Sequence, residues 1–84
     1  MIPIQRLLNR IRWDVEFGAG SFEVGYLDHV RHRIIRIPFR DIRFEEGNQF
    51  SFQVEDEMGE TATIPFHRIR EVYRDGDLIW RRPE

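Results

Sequence analysis

The sequence contains no cysteine, which excludes disulfides, thiolate zinc sites and cysteine nucleophiles. It contains no lysine either, so all 13 basic side chains are arginine. No apolar run approaches the ~20 residues needed to cross a bilayer. The first residues lack the basic stretch and apolar run of a signal peptide, and a soluble cytoplasmic protein is the expectation. The six glycines are scattered, so no glycine-rich phosphate loop can be drawn, and no cofactor is implied. At 84 residues the chain is expected to form a single domain over residues 1–84, with a core too small to favour a deep catalytic cleft.

Apolar residues make up 40% of the chain and aromatic residues 13%, which speaks for a folded domain and against disorder. The net charge of −2 conceals a division. Residues 28–43 carry five arginines against Asp28 and Asp41, and residues 64–74 carry Arg68, Arg70 and Arg74 against Glu71. Residues 44–60 hold six carboxylates and no basic residue. The division fits either a mixed solvated surface or a local anion site. Arginine matters for the second because its planar fork matches phosphate oxygens and its face stacks on a base.

Residues 3–12 read as a helix. Pro3 suits the first turn, and Ile4, Leu7, Leu8 and Ile11 form one apolar face, which Val15 could extend. Trp13 falls roughly opposite that face. Either the helix ends near Arg12 and Trp13 turns inward to cap the core, or Trp13 is exposed as a base-stacking platform. Residues 17–21 form a loop around Gly18 and Gly20. Strands are expected over 22–27, through Ile35, Ile37 and Phe39, through Phe50, Phe52 and Val54, and over 61–66. Pro38 places its strand at an edge or at its own end. A last hairpin, 69–73 with 78–82, turns through Asp75-Gly76-Asp77. The run Ile37-Pro38-Phe39-Arg40-Asp41-Ile42-Arg43 is echoed by Ile64-Pro65-Phe66-His67-Arg68-Ile69-Arg70. Both read as a strand meeting a sharp corner, because the residue before proline is kept out of the helical region. The fold expected is α+β, with the N-terminal helix packed on a small curled antiparallel sheet or partly closed β-barrel.

Four segments together resemble a known family: Leu8-Asn9-Arg10-Ile11-Arg12-Trp13-Asp14, Tyr26-Leu27-Asp28, Ile64-Pro65-Phe66-His67-Arg68-Ile69-Arg70 and Leu78-Ile79-Trp80-Arg81-Arg82. The chain is similar along nearly its whole length to the RNA cyclic-phosphate end-recognition domains. Where that family commonly has arginine after Tyr-x-Asp, this chain has His29. The resemblance implies a role in RNA metabolism, with RNA ends as ligand and an RNA ligase, nuclease or phosphoesterase as partner.

On that reading His67, Arg68, Arg70 and Arg81 contact a terminal phosphate, with Arg40 as a weaker candidate on the echoed corner. Trp13 or Tyr26 stacks on a base, and Asp14 and Asp28 orient neighbouring groups. Each has a plainer alternative. His67 can satisfy a carbonyl at the corner while Arg68 pairs with an acid. Asp14 can pair with Arg10 one helical turn back, and Tyr26 and Asp28 can be ordinary surface and turn residues. Trp80 is expected in the core and Arg81 outside it. Asp28, His29 and His32 have chemistry suited to a metal, but their spacing matches no established motif and no metal is assigned. Ser21 and Ser51 lack a nucleophile-elbow context. The expected function is a non-catalytic RNA-binding accessory module for phosphate or 2′,3′-cyclic-phosphate ends. Two competing readings are a protein-interaction adaptor using the acidic 45–60 segment and an RNA cyclic phosphoesterase built on His67.

Overall fold

The computed structural model describes residues 2–55 and 58–83. Helix α1 (Ile4–Trp13) starts at Pro3, whose extended backbone leaves its carbonyl free to accept from the amides of Arg6 and Leu7 at 3.1 and 3.2 Å. Its buried residues are Ile4, Leu7, Leu8 and Ile11. The helix stops at Asp14, whose backbone turns extended and whose carboxylate accepts from the amides of Glu16 and Phe17. Asp14 also pairs with Arg10 at 3.7 Å. Val15 lies beyond the helix and is exposed. A 3-10 turn (Phe17–Ala19) then folds back on the helix so closely that a Cβ on Gly18 would lie 2.4 Å from the Ile11 carbonyl oxygen.

Six strands follow: β1 (Phe22–Asp28), β2 (Arg33–Pro38), β3 (Ser51–Glu55), β4 (Thr61–Pro65), β5 (Ile69–Arg74) and β6 (Asp77–Arg81). Four form an antiparallel sheet in the order β2-β1-β5-β6, while β3 and β4 form a separate hairpin. The sheet is not closed into a barrel: β2 and β6 remain its edges, the corner after Pro38 leads the chain out of it, and the corner after Pro65 leads the chain back in from β4 to β5. Helix and antiparallel sheet stand as expected, whereas the partly closed barrel is corrected. The strand expected to run on to Phe39 ends at Pro38, and Phe39 opens a 3-10 turn. Phe50 lies just outside β3 and is 81% exposed, so the expected alternation with Phe52 begins one step late. The last hairpin turns on Asp75 and Gly76, with φ of 50° and 87°, the left-handed pair that a two-residue turn requires.

The core lies between α1, the inner face of the sheet and the β3–β4 hairpin. Val24, Ile69 and Val72 are fully enclosed, with Phe52, Ile64 and Phe66 packed among them. A file of rings crosses the molecule from Tyr26 through Phe52, Phe66, Phe44, Phe39 and Phe22 to Phe17, each 5.7–6.5 Å from the next. Such contacts contribute ~0.5–1.5 kcal/mol each beyond area burial.

Candidate functional site

The two echoed sequences fold alike. Pro38 and Pro65 share one backbone conformation (φ −61°, ψ 140° and φ −62°, ψ 143°). Each leads into a 3-10 turn, Phe39–Asp41 and Phe66–Arg68, closed by an isoleucine amide donating to the phenylalanine carbonyl. Proline fixes the approach, and the buried Ile42 and Ile69 lock the exit. The corners differ in charge. The first carries Asp41 beside Arg40, and its Arg43 donates to Glu55 at 3.2 Å. At the second, among the described residues, no carboxylate lies within ion-pair distance of Arg68, Arg70 or Arg82.

Main-chain carbonyls hold the guanidinium groups of the second corner. Arg70 Nη1 donates to the His67 carbonyl at 2.6 Å. Arg82 donates through Nε to the Ile69 carbonyl at 2.9 Å and through Nη2 to that of Phe66 at 3.3 Å. Its guanidinium also sits 5.2 Å from the centre of the Trp80 ring. Partial burial, and then the charge of Arg70, push the Arg82 pKa down. An anion between the two groups would relieve that repulsion. The Nε of Arg68 is enclosed and has no hydrogen-bond partner among the described residues. The His67 side chain is exposed on the same turn. A guanidinium carries five N–H donors, so carbonyl bonds to one or two of them fix its direction and leave others for an oxyanion.

The other expected site residues are dispersed. Arg81 points to the outer face of the sheet, opposite Glu71 in register, while Trp80 is buried with its Nε1 donating to the Ile2 carbonyl at 2.9 Å. Arg40 is exposed on the first corner. Trp13 is 72% exposed, the outward of its two expected positions. The Arg12 guanidinium lies 4.8 Å from the Trp13 ring and 4.2 Å from that of Phe44. Trp13 is nine residues along the helix from Ile4, so a rise of about 14 Å separates it from the end that meets Trp80. One residue does not fit its expected role. Tyr26 is only 7% exposed and its ring packs edge-on against Phe52, so it has no free face for a base. Burial, with Asp28 nearby, holds its phenol above the ordinary range. Asp28 accepts from the amides of Val30 and Arg31 and shapes the β1–β2 turn. The Arg31 amide bond is foremost in holding its carboxyl below the ordinary range. Asp14 likewise closes a helix end.

In the acidic segment, Glu45 accepts from Gln53 and Asn48, and Glu55 from Arg43. Asp56 and Glu57 lie outside the described residues. Arg82 is the corner residue that the sequence reading passed over. Strand alternation carried the signal, since Arg82 has the parity of the buried Trp80 and Arg81 does not.

The family model described as the MJ1316 RNA cyclic group end recognition domain matches residues 1–82. A UPF0248 protein of Archaeoglobus fulgidus is 29% identical over 76 residues, which is 90% of this chain and 100% of that relative. No solved structure matches. With the match running from the first helix past the second corner to Arg82, the chain belongs to the MJ1316 RNA cyclic group end recognition domain family.

Proposed function

We propose that this chain is a non-catalytic RNA-binding module that recognises ends carrying a phosphate or a 2′,3′-cyclic phosphate. The observation that carries the reading is the second corner. There Arg70 and Arg82 are aimed by backbone carbonyls beside exposed His67, with no carboxylate among the described residues to neutralise them. Two oriented forks suit the oxygens of one phosphate, and the His67 ring adds an N–H donor. Arg68 takes part through the same turn. Arg81 and Arg40 stand apart from it and are proposed only as contacts to flanking phosphates. Trp13 and Arg12 offer a stacking surface for a nucleotide further from the end.

The module is non-catalytic on this reading because opening a cyclic phosphate calls for a paired acid and base. Among the described residues of the corner, the side chains beside His67 are the guanidiniums of Arg68, Arg70 and Arg82, which do not give up a proton. The module would act in the cytoplasm, presenting the end to a ligase, nuclease or phosphoesterase. Titration with short RNAs ending in a 2′,3′-cyclic phosphate, a 3′-phosphate or a 3′-hydroxyl tests the proposal. The two phosphate-bearing ends are expected to bind at least tenfold more tightly than the hydroxyl. Equal binding of all three removes end recognition. Turnover of the cyclic end that is abolished by His67→Ala would replace the binding module with an enzyme.

A further inference from the structure

The 44–49 segment faces helix α1 across a groove of about 250 Å³. The rings of Phe44 and Phe66 lie along it, and the Arg12 guanidinium lies 4.2 Å from the centre of the Phe44 ring. Gln5 and Asn9, one helical turn apart, line one side, and Glu46 and Gln49 line the other.

The groove collects one kind of side chain. The chain has five side-chain amides, at Gln5, Asn9, Asn48, Gln49 and Gln53. Four of them line this groove. The fifth, Gln53, donates to Glu45 at 3.0 Å and braces the wall from behind. Asn48 is occupied in folding that wall: its oxygen accepts from the amides of Phe50 and Ser51, and its nitrogen donates to Ser51 Oγ and Glu45. The side chains of Gln5, Asn9, Gln49 and Glu46 have no hydrogen bond to the other described residues. The 44–49 wall thus presents Gln49 and Glu46 to Gln5 and Asn9 of the helix, while Glu45, the other carboxylate in the lining, is bonded to Asn48 and Gln53.

An amide offers a donor and an acceptor side by side, the pattern that matches a nucleobase edge. Phe66 is buried and forms the floor, and the half-buried Phe44 ring with the Arg12 guanidinium beside it supplies the stacking surface. The Glu46 carboxylate only accepts, so it complements an exocyclic amino group. It opposes uracil, whose pairing edge places carbonyls on both sides of its one N–H. Phe66 joins this groove to the proposed phosphate corner, since its ring lines the groove and its carbonyl accepts from Arg82. We propose that the groove reads the base of the terminal ribonucleotide and favours an amino-bearing base (adenine, cytosine or guanine) over uracil. This inference rests on the RNA-end reading and adds base selection to it.

The side-chain NH2 resonances of the full chain provide a direct test, because there are only five pairs. Titration with adenosine, cytidine and uridine 3′-monophosphates is expected to shift the Gln5, Asn9 and Gln49 signals, with uridine binding about 5- to 150-fold more weakly, the range for one lost base-edge contact. Glu46→Gln is expected to bring the uridine to cytidine ratio close to one. Groove signals that stay still with every nucleotide overturn the proposal, even where RNA ends bind at the corner. Shifts of equal size and affinity with all bases overturn base selection while leaving end recognition intact. Absence of any preference for phosphate ends, with the groove signals still responding to base, would instead remove the corner reading alone.

Discussion

Arg70 and Arg36 show how the partner of a guanidinium decides what it can do. Arg36 donates to Glu23 at 2.7 Å and covers the Tyr73 ring at 3.6 Å, so its charge is matched within the sheet. Arg70 is bonded to a carbonyl that directs it without neutralising it. Arg70→Lys keeps the charge and removes the fork. It is expected to weaken binding of a phosphate end about 10- to 150-fold, equivalent to ~1.5–3 kcal/mol for charge-assisted bonds. Fluorescence anisotropy would measure it, with the 3′-hydroxyl RNA scarcely affected. Asp28 gives a different residue-scale prediction. Its pKa is lowered on folding, so the stability it contributes is present above the ordinary aspartate value of ~3.9 and is lost as pH falls through the lower folded value. Asp28→Asn should therefore flatten the acid limb of stability below that pH and leave the neutral slope unchanged, as urea unfolding at a series of pH values would record. Asp28 and Asp14 were legible in sequence as residues with two possible roles, because an aspartate at a turn looks the same whether it serves a ligand or its own backbone. The backbone amides bonded to each carboxylate show its local work in the fold.

Local periodicity revealed the elements better than it revealed their arrangement. The apolar spacing from Ile4 to Ile11 and the Asp75-Gly76 turn could be read because each depends on residues close in sequence. The echoed proline runs were likewise visible, and they do share one backbone path. Pairing of β1 with β5 depends on residues about fifty positions apart, with a bulge at Gly25/Tyr26, and no local pattern carries it. That is why an open sheet with a separate hairpin was expected as a curled sheet or barrel. The tight contact of the Phe17–Ala19 turn with the helix supplies a prediction at this scale. Gly18→Ala places a methyl group against the Ile11 carbonyl and is expected to destabilise the fold by ~1–3 kcal/mol. Gly47→Ala meets nothing within 4 Å and differs only in its φ of 82°, so its cost should be about 1 kcal/mol. Urea unfolding of the two variants side by side would separate crowding from backbone strain.

For the whole molecule, net charge is a poor guide to anion binding. A chain at −2 can hold a phosphate when its carboxylates are engaged elsewhere, as Glu23, Glu45 and Glu55 are. Two or three phosphate contacts to a single strand release few counterions, and the slope of log affinity against log salt should be about −1.4 to −2.1. A much steeper slope in a salt titration would mean a long electrostatic track in place of one gripped end. The bond from Trp80 Nε1 to the Ile2 carbonyl has a topological consequence. It brings the first helix and the last strand together, so the described chain is almost a closed ring, pinned beside Arg82. A short linker from residue 83 to residue 2, with new ends opened in the exposed turn at 29–32, would leave both the second corner and the amide-lined groove uncut. For this domain the order in which the chain is written is separable from the surface it builds.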